Sequence, residues 1–167
     1  MKKVLADKYR PKTLEDIILL PRIRKRFVGG LTQNYLFYGG YGSGKTSLAR
    51  ILIGIYSKKT PCLELNSSFY TSINDLRTIV DEFCSNTYMG IDLSDDAPMD
   101  TSVKYVFLDE VERTSPEYQD GLKAYIEKNT EKNVRFIITT NHINKVSKGL
   151  QSRFIKVNFD CQDSDEE

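Results

Sequence analysis

Four groups of residues in this chain could carry chemistry together. The stretch GGYGSGKTS, Gly39 to Ser47, fits the pattern G-x-x-x-x-G-K-[ST] as Gly39, Gly44, Lys45 and Thr46. Glycines at 39, 40, 42 and 44 let backbone N–H groups converge on phosphates, with Tyr41, Ser43 and Ser47 completing the loop. Lys45 would reach the β and γ phosphates, and the Thr46 hydroxyl would coordinate Mg²⁺. In KYVFLDEVE an apolar run ends in Asp109 and Glu110. Asp109 would hold Mg²⁺, usually through water, and Glu110 could orient and polarise an attacking water. A kinase has no need of that adjacent acid, so the pair favours hydrolysis. In RFIITTNH, Asn141 would bring an uncharged amide near the γ-phosphate, although asparagine at a strand end is more often a turn residue. The neighbouring His142 reads as a surface or turn residue. In LQSRF, Arg153 is by default a structural ion-pair former. A sheet that placed it far from its own phosphates would let it serve a neighbouring subunit's nucleotide instead, stabilising transition-state charge.

Positioning these groups requires strands that end at one edge. Apolar strand candidates alternate with amphipathic helical patterns, which argues for βαβ units around a parallel sheet in an α/β domain. The strands are expected at 35–39, 62–66, 103–109, 134–140 and 154–159. Leu48, Ile51, Leu52 and Ile55 recur at helical spacing, as do Leu76, Ile79, Val80 and Phe83. Ser115-Pro116 is a cap with proline at the first helical position, followed by a stripe of Tyr118, Leu122, Tyr125 and Ile126. Residues 84–102, with Gly, Pro and an acidic cluster, read as a long loop or excursion.

At 167 residues the chain fits one compact domain with a full core. No apolar run approaches the roughly 20 residues needed to cross a bilayer, and no secretory leader is present, so no membrane association is expected. Cys62, Cys84 and Cys161 are widely spaced and read as reduced thiols in a cytoplasmic protein. The net charge of +1 hides a split: residues 1–60 carry 13 Lys/Arg against 3 Asp/Glu, and the remainder 11 against 20. Solvated faces plus an acidic tail account for this most simply; a basic side useful near nucleic acid is the sharper reading.

In their order and spacing the four motifs resemble the AAA+ ATPases: Walker A, Walker B, sensor 1 and arginine finger. Within that class the chain is most similar to clamp-loader ATPase subunits, of the replication factor C small-subunit type and its tailed-phage counterparts. DKYRPKTLEDII resembles the family's KYRP segment, LELNSS its ELNAS strand, LDEVERTSPEYQDGLKAYIEK its DEAD segment, and SRF its SRC. The likeness runs from about Asp7 to Phe159. It departs where Asp-Glu-Ala-Asp becomes Asp109-Glu110-Val111-Glu112, and where the cysteine after Ser-Arg is Phe154.

The resemblance implies a P-loop NTPase fold of the RecA-like kind, a three-layer sandwich around a five-stranded parallel sheet. It implies ATP and Mg²⁺ as ligands, with Tyr9, Arg10, Pro11, Ile17 and Ile18 around the adenine. Lys45, Glu110, Asn141 and Arg153 would be the catalytic set, Arg153 acting on an adjacent subunit. Asn66 stands where related ATPases keep a residue able to hold the catalytic glutamate inactive. The implied partners are other clamp-loader subunits in a ring, a sliding clamp and primer–template DNA. Phe83 through Leu93, with Tyr88 and Met89, would approach the clamp, unless Phe83 is core and the rest simply loop. Arg77, Lys123 and members of RIRKR (22–26) are candidates for DNA contact, although for RIRKR a solvated face is the favoured reading. Residues 1–159 would form the nucleotide-binding domain, and 160–167 an acidic tail or the start of the helical lid that such proteins carry. Two rivals stand beside this reading: another AAA+ DNA machine, such as a helicase loader or branch-migration motor, and a non-catalytic scaffold that binds nucleotide only to assemble. Intact Glu110 and Arg153 argue against the scaffold.

Overall fold

Runs of β-branched, aromatic and leucine residues form five strands: β1 (Tyr35–Tyr38), β2 (Cys62–Asn66), β3 (Lys104–Asp109), β4 (Val134–Thr140) and β5 (Ile155–Asn158). The computed structural model describes residues 11, 13–56, 62–69, 72–85, 103–130 and 133–160. Among the described residues five α-helices accompany the strands: α1 (Pro21–Arg26), α2 (Lys45–Tyr56), α3 (Ile73–Ser85), α4 (Pro116–Thr130) and α5 (Lys148–Gln151). All strand pairs are parallel and the order is β2-β3-β4-β1-β5. Every strand therefore ends at the same edge, and β1, which leads into the phosphate loop, lies between β4 and β5. Ligands of such sheets sit beyond that edge.

Side chains of a strand alternate between its two faces, and the core divides accordingly. Leu36, Val106, Leu108, Phe136 and Ile138 face one way and pack with Leu76 and Val80 of α3 and Leu122 and Ile126 of α4. Tyr35, Phe37, Tyr105, Phe107 and Ile137 face the other way, onto Leu48 and Leu52 of α2 and Ile23 of α1. The result is three layers. Because both faces are covered, β3 and β4 read as near-continuous apolar runs, as buried parallel strands do. Helices α3 and α4 approach closely at Gly121, where an added Cβ would come within 2.8 Å of Ile73 Cγ1.

The strands agree with the sequence expectation to within one residue at either end, and Ser115 caps α4 by accepting a hydrogen bond from the Tyr118 N–H at 3.2 Å. The short α1 was not expected, since PRIRKR offers one buried apolar side chain, Ile23. Phe83 is partly buried against the α3/α4 core, as the core reading of that residue has it. Tyr88, Met89 and the remainder of the expected clamp-facing segment lie outside the described residues. Cys62 and Cys84 form no disulfide among the described residues, and burial pushes the Cys62 thiol up to about 12; Cys161 lies outside the described residues. Among the described residues no helix is long and apolar enough to cross a membrane.

Candidate nucleotide site

The phosphate loop turns out of β1 through Gly39, whose φ of +146° favours glycine. A Cβ at that position would come within 3.0 Å of both Phe159 Cβ and Asp160 Oδ1. Gly44, at φ +90°, turns the chain into α2, whose first backbone bond runs from the Leu48 N–H to Gly44 O at 2.8 Å. The N–H groups just inside that helix end have no partner within the helix and carry its positive dipole end, so they suit an anion.

A cleft of about 280 Å³ opens over this loop. It is lined by Tyr41, Gly42, Ser43, Gly44, Lys45, Thr46 and Ser47 on one side and by Asp109, Glu110, Thr139 and Asn141 on the other. The register explains the meeting. Tyr38 pairs with Thr140 and Leu108 with Ile138, so the residues that follow β1, β3 and β4 emerge level with one another.

Within the cleft, Thr46 Oγ1 donates to Asp109 Oδ1 at 3.0 Å and lies 3.3 Å from Oδ2. Thr139 Oγ1 donates to the same Oδ1 and accepts the Glu110 N–H at 3.2 Å. A hydroxyl and a carboxylate side by side are hard oxygen donors of the kind Mg²⁺ takes alongside waters and substrate phosphates. Lys45 is buried, and its Nζ donates to Gly39 O at 2.8 Å, Gly40 O at 2.6 Å and Ser43 Oγ at 3.0 Å. Burial holds its ammonium below the usual lysine value, opposed in turn by the carboxylates of Glu112, Asp160 and Asp109.

Glu110 adopts a left-handed conformation, φ +59° and ψ +45°, and its Oε2 pairs with Arg113 Nε at 3.1 Å. Glu112 Oε1 accepts both the Asn141 N–H at 3.1 Å and the Asn141 Nδ2–H at 2.8 Å. Its Oε2 is buried without a hydrogen-bond partner among the described residues. Tyr41 and His142 meet edge to face at the mouth, with Tyr41 Oη 3.2 Å from Nε2.

The structure thus gathers Lys45, Thr46, Asp109, Glu110 and Asn141 in one place. It does not gather all of the residues singled out in the sequence. Arg153 precedes β5, whose Ile155 is level with Tyr35 at the start of β1, so it stands at the opposite edge of the sheet and pairs with Glu127. Asn66 Oδ1 accepts from the N–H and hydroxyl of Ser68, at 2.9 and 2.6 Å, and Glu110 pairs with Arg113. Ile17 is buried in the α1/α2 core, Ile18 is fully exposed and Pro11 is half-buried; Tyr9 and Arg10 lie outside the described residues. Arg77 donates to Gly121 O at 3.3 Å, and Arg22, Arg24, Lys25 and Arg26 are exposed on α1. Thr139 and Glu112 escaped the sequence reading. Thr139 stands two residues before Asn141, so strand alternation could have placed both on one side.

A phosphate loop at the head of a helix, faced by an Asp-Glu pair two strands away in a parallel sheet, defines a P-loop nucleotide-binding domain. The family described as "ATPase family associated with various cellular activities (AAA)" matches residues 35–160. The chain belongs to that family. It is 35% identical over 161 residues to a replication factor C small subunit 2 of Pyrobaculum arsenaticum, covering 92% of this chain and 47% of the relative. It is 33% identical to replication factor C subunit 3 of Schizosaccharomyces pombe, covering 92% and 44%. The chain therefore spans about half the length of the curated relatives it matches. Among solved structures, the Holliday junction branch migration motor RuvB of Thermotoga maritima superposes with a TM-score of 0.67 at 21% identity, over 90% of this chain and 48% of that one. At that identity the likeness is one of fold.

Proposed function

We propose that this chain is the ATP-hydrolysing domain of a clamp-loader subunit, which places a sliding clamp on primer–template DNA during replication. The observation that carries hydrolysis is the convergence of Thr46, Asp109 and Glu110 on one cleft with Lys45. Similarity to replication factor C small subunits over 92% of the chain supports the clamp-loading reading.

Residues 1–159 act as the nucleotide-binding unit, and 160–167 lead out of it as an acidic tail or the start of a lid. Tyr9, Arg10, Pro11, Ile17 and Ile18 border the adenine. The loop amides of 42–47 bind the phosphates of ATP, and Lys45 leaves its carbonyl seat to meet them. Thr46 and Asp109 hold Mg²⁺, which when bound neutralises charge on the β and γ phosphates. Glu110 releases Arg113 and polarises the attacking water, while Asn141 orients it. Arg153 exchanges Glu127 for the nucleotide of an adjacent subunit in the ring. Such a protein works where DNA is copied, in the cytoplasm of a bacterial, archaeal or virus-infected cell or in a nucleus.

The test is ATP turnover by the protein assembled with its companion subunits, with sliding clamp and primed DNA added singly and together. Stimulation that needs both supports clamp loading. Stimulation by DNA alone overturns it in favour of a motor.

A further inference from the structure

Asp160, just beyond β5, sits against the phosphate loop. Its Oδ1 accepts the Gly40 N–H at 2.7 Å. The residue is itself held from two directions. Its N–H donates to Asn158 Oδ1 at 2.9 Å, and its carbonyl accepts from Arg22 Nη2 of α1 at 3.0 Å. One residue earlier, the Phe159 N–H donates to Tyr38 O at 2.8 Å, fastening the end of β5 to the end of β1. Gly39 packs so closely here that no other side chain fits without a shift.

The peptide that joins Gly39 to Gly40 is a trans amide, with its N–H and C=O pointing in opposite directions. Its N–H is taken by Asp160, and its C=O, that of Gly39, is taken by Lys45 Nζ at 2.8 Å. One peptide plane therefore carries a carboxylate on one side and the Lys45 ammonium on the other. Rotating that plane would break both bonds together. The carboxylate also closes a gap that glycine leaves open, because two successive glycines have few steric limits of their own.

We propose that Asp160 is a positioning residue for nucleotide binding, which fixes the Gly39–Gly40 peptide and through it the starting geometry of Lys45 and the phosphate loop. A loop held before the ligand arrives loses less conformational freedom on binding, so the brace contributes to affinity. The proposal rests on the reading of the loop as a nucleotide site and deepens it.

The experiment is titration of the chain with fluorescent ATP and ADP analogues, alongside thermal unfolding. Asp160→Ala weakens both nucleotides about 10-fold, as loss of one charge-assisted hydrogen bond would. Asp160→Asn, which keeps an acceptor oxygen, stays within about threefold, and both variants keep a cooperative unfolding transition. Wild-type affinity in Asp160→Ala, or a loss in Asp160→Asn as large as in Asp160→Ala, overturns the proposal. Loss of the unfolding transition in both Asp160 variants assigns the residue to folding alone and overturns it too. If the unaltered chain binds neither nucleotide, the reading of the loop fails first and the proposal falls with it.

Discussion

The two edges of the sheet differ in what their polar groups face. At the edge where the strands begin, cations are spent on the protein's own backbone. Lys104 Nζ donates to the carbonyls of Phe83 and Cys84 at the end of α3, and Arg135 Nε donates to Thr32 O at 3.0 Å. Asn34 works beside them, its side chain accepting the Phe136 N–H at 2.9 Å and its carbonyl the Ile155 N–H at 2.9 Å. At the edge where the strands end, Thr46, Asp109, Glu110 and Asn141 line an open cleft. The first arrangement staples loops to strands, and the second leaves polar groups facing a space that a ligand can fill.

Arg153 belongs to the first edge by position and not by use. Its guanidinium meets a carboxylate, Glu127, and both side chains are more than two-fifths exposed. An exposed pair of this kind contributes about 0–1 kcal/mol, so its partner can be exchanged at little cost. The contrast teaches that one chain places the groups proposed for hydrolysis at one edge and a detached arginine at the other, a division that suits the proposed site shared between adjacent subunits.

Four substitutions would break or sharpen that contrast. Arg153→Ala is expected to lower turnover of the assembled protein on the order of 10³-fold, while nucleotide affinity of the isolated chain stays unchanged. Equal loss of affinity in the isolated chain would return Arg153 to the structural group. Glu110→Gln should reduce turnover roughly 10²-fold with nucleotide still bound, as single-turnover hydrolysis and direct titration would separate. Lys104→Met removes a cation from the C-terminal end of α3, and urea unfolding should register a loss of about 1 kcal/mol with no change in nucleotide affinity. Smallest is Glu127→Ala, expected to shift stability by at most about 0.5 kcal/mol and to leave assembled turnover intact. A large loss of turnover there would mean that Glu127 has its own role at the subunit boundary.

The sheet was legible because parallel strands covered on both faces must be apolar throughout, and such runs stand out at 35–39, 103–109 and 134–140. The phosphate loop and the Asp-Glu pair were legible because their chemistry is bound to local spacing. What escaped depends on contacts between distant segments. Thr139 looks like any strand threonine until β3 is laid beside β4 and its hydroxyl meets Asp109. Arg113 looks like a solvated arginine until the left-handed turn at Glu110 brings the two side chains together. Asn66, which the resemblance relates to restraint of Glu110, is engaged through its Oδ1 by the local turn to Ser68, a contact that spacing alone does not announce. Helix α1 has too few apolar positions to announce itself, and Ile23 finds its place only against the α2 side of the sheet.

The backbone at Glu110 has a consequence for how this domain can change over time. A left-handed conformation costs a glutamate roughly 1–2 kcal/mol, whereas asparagine tolerates it better. The residue best suited to activating water is therefore one that the local fold disfavours. Selection for stability alone would drift this position away from glutamate, toward a protein that folds more firmly and hydrolyses less.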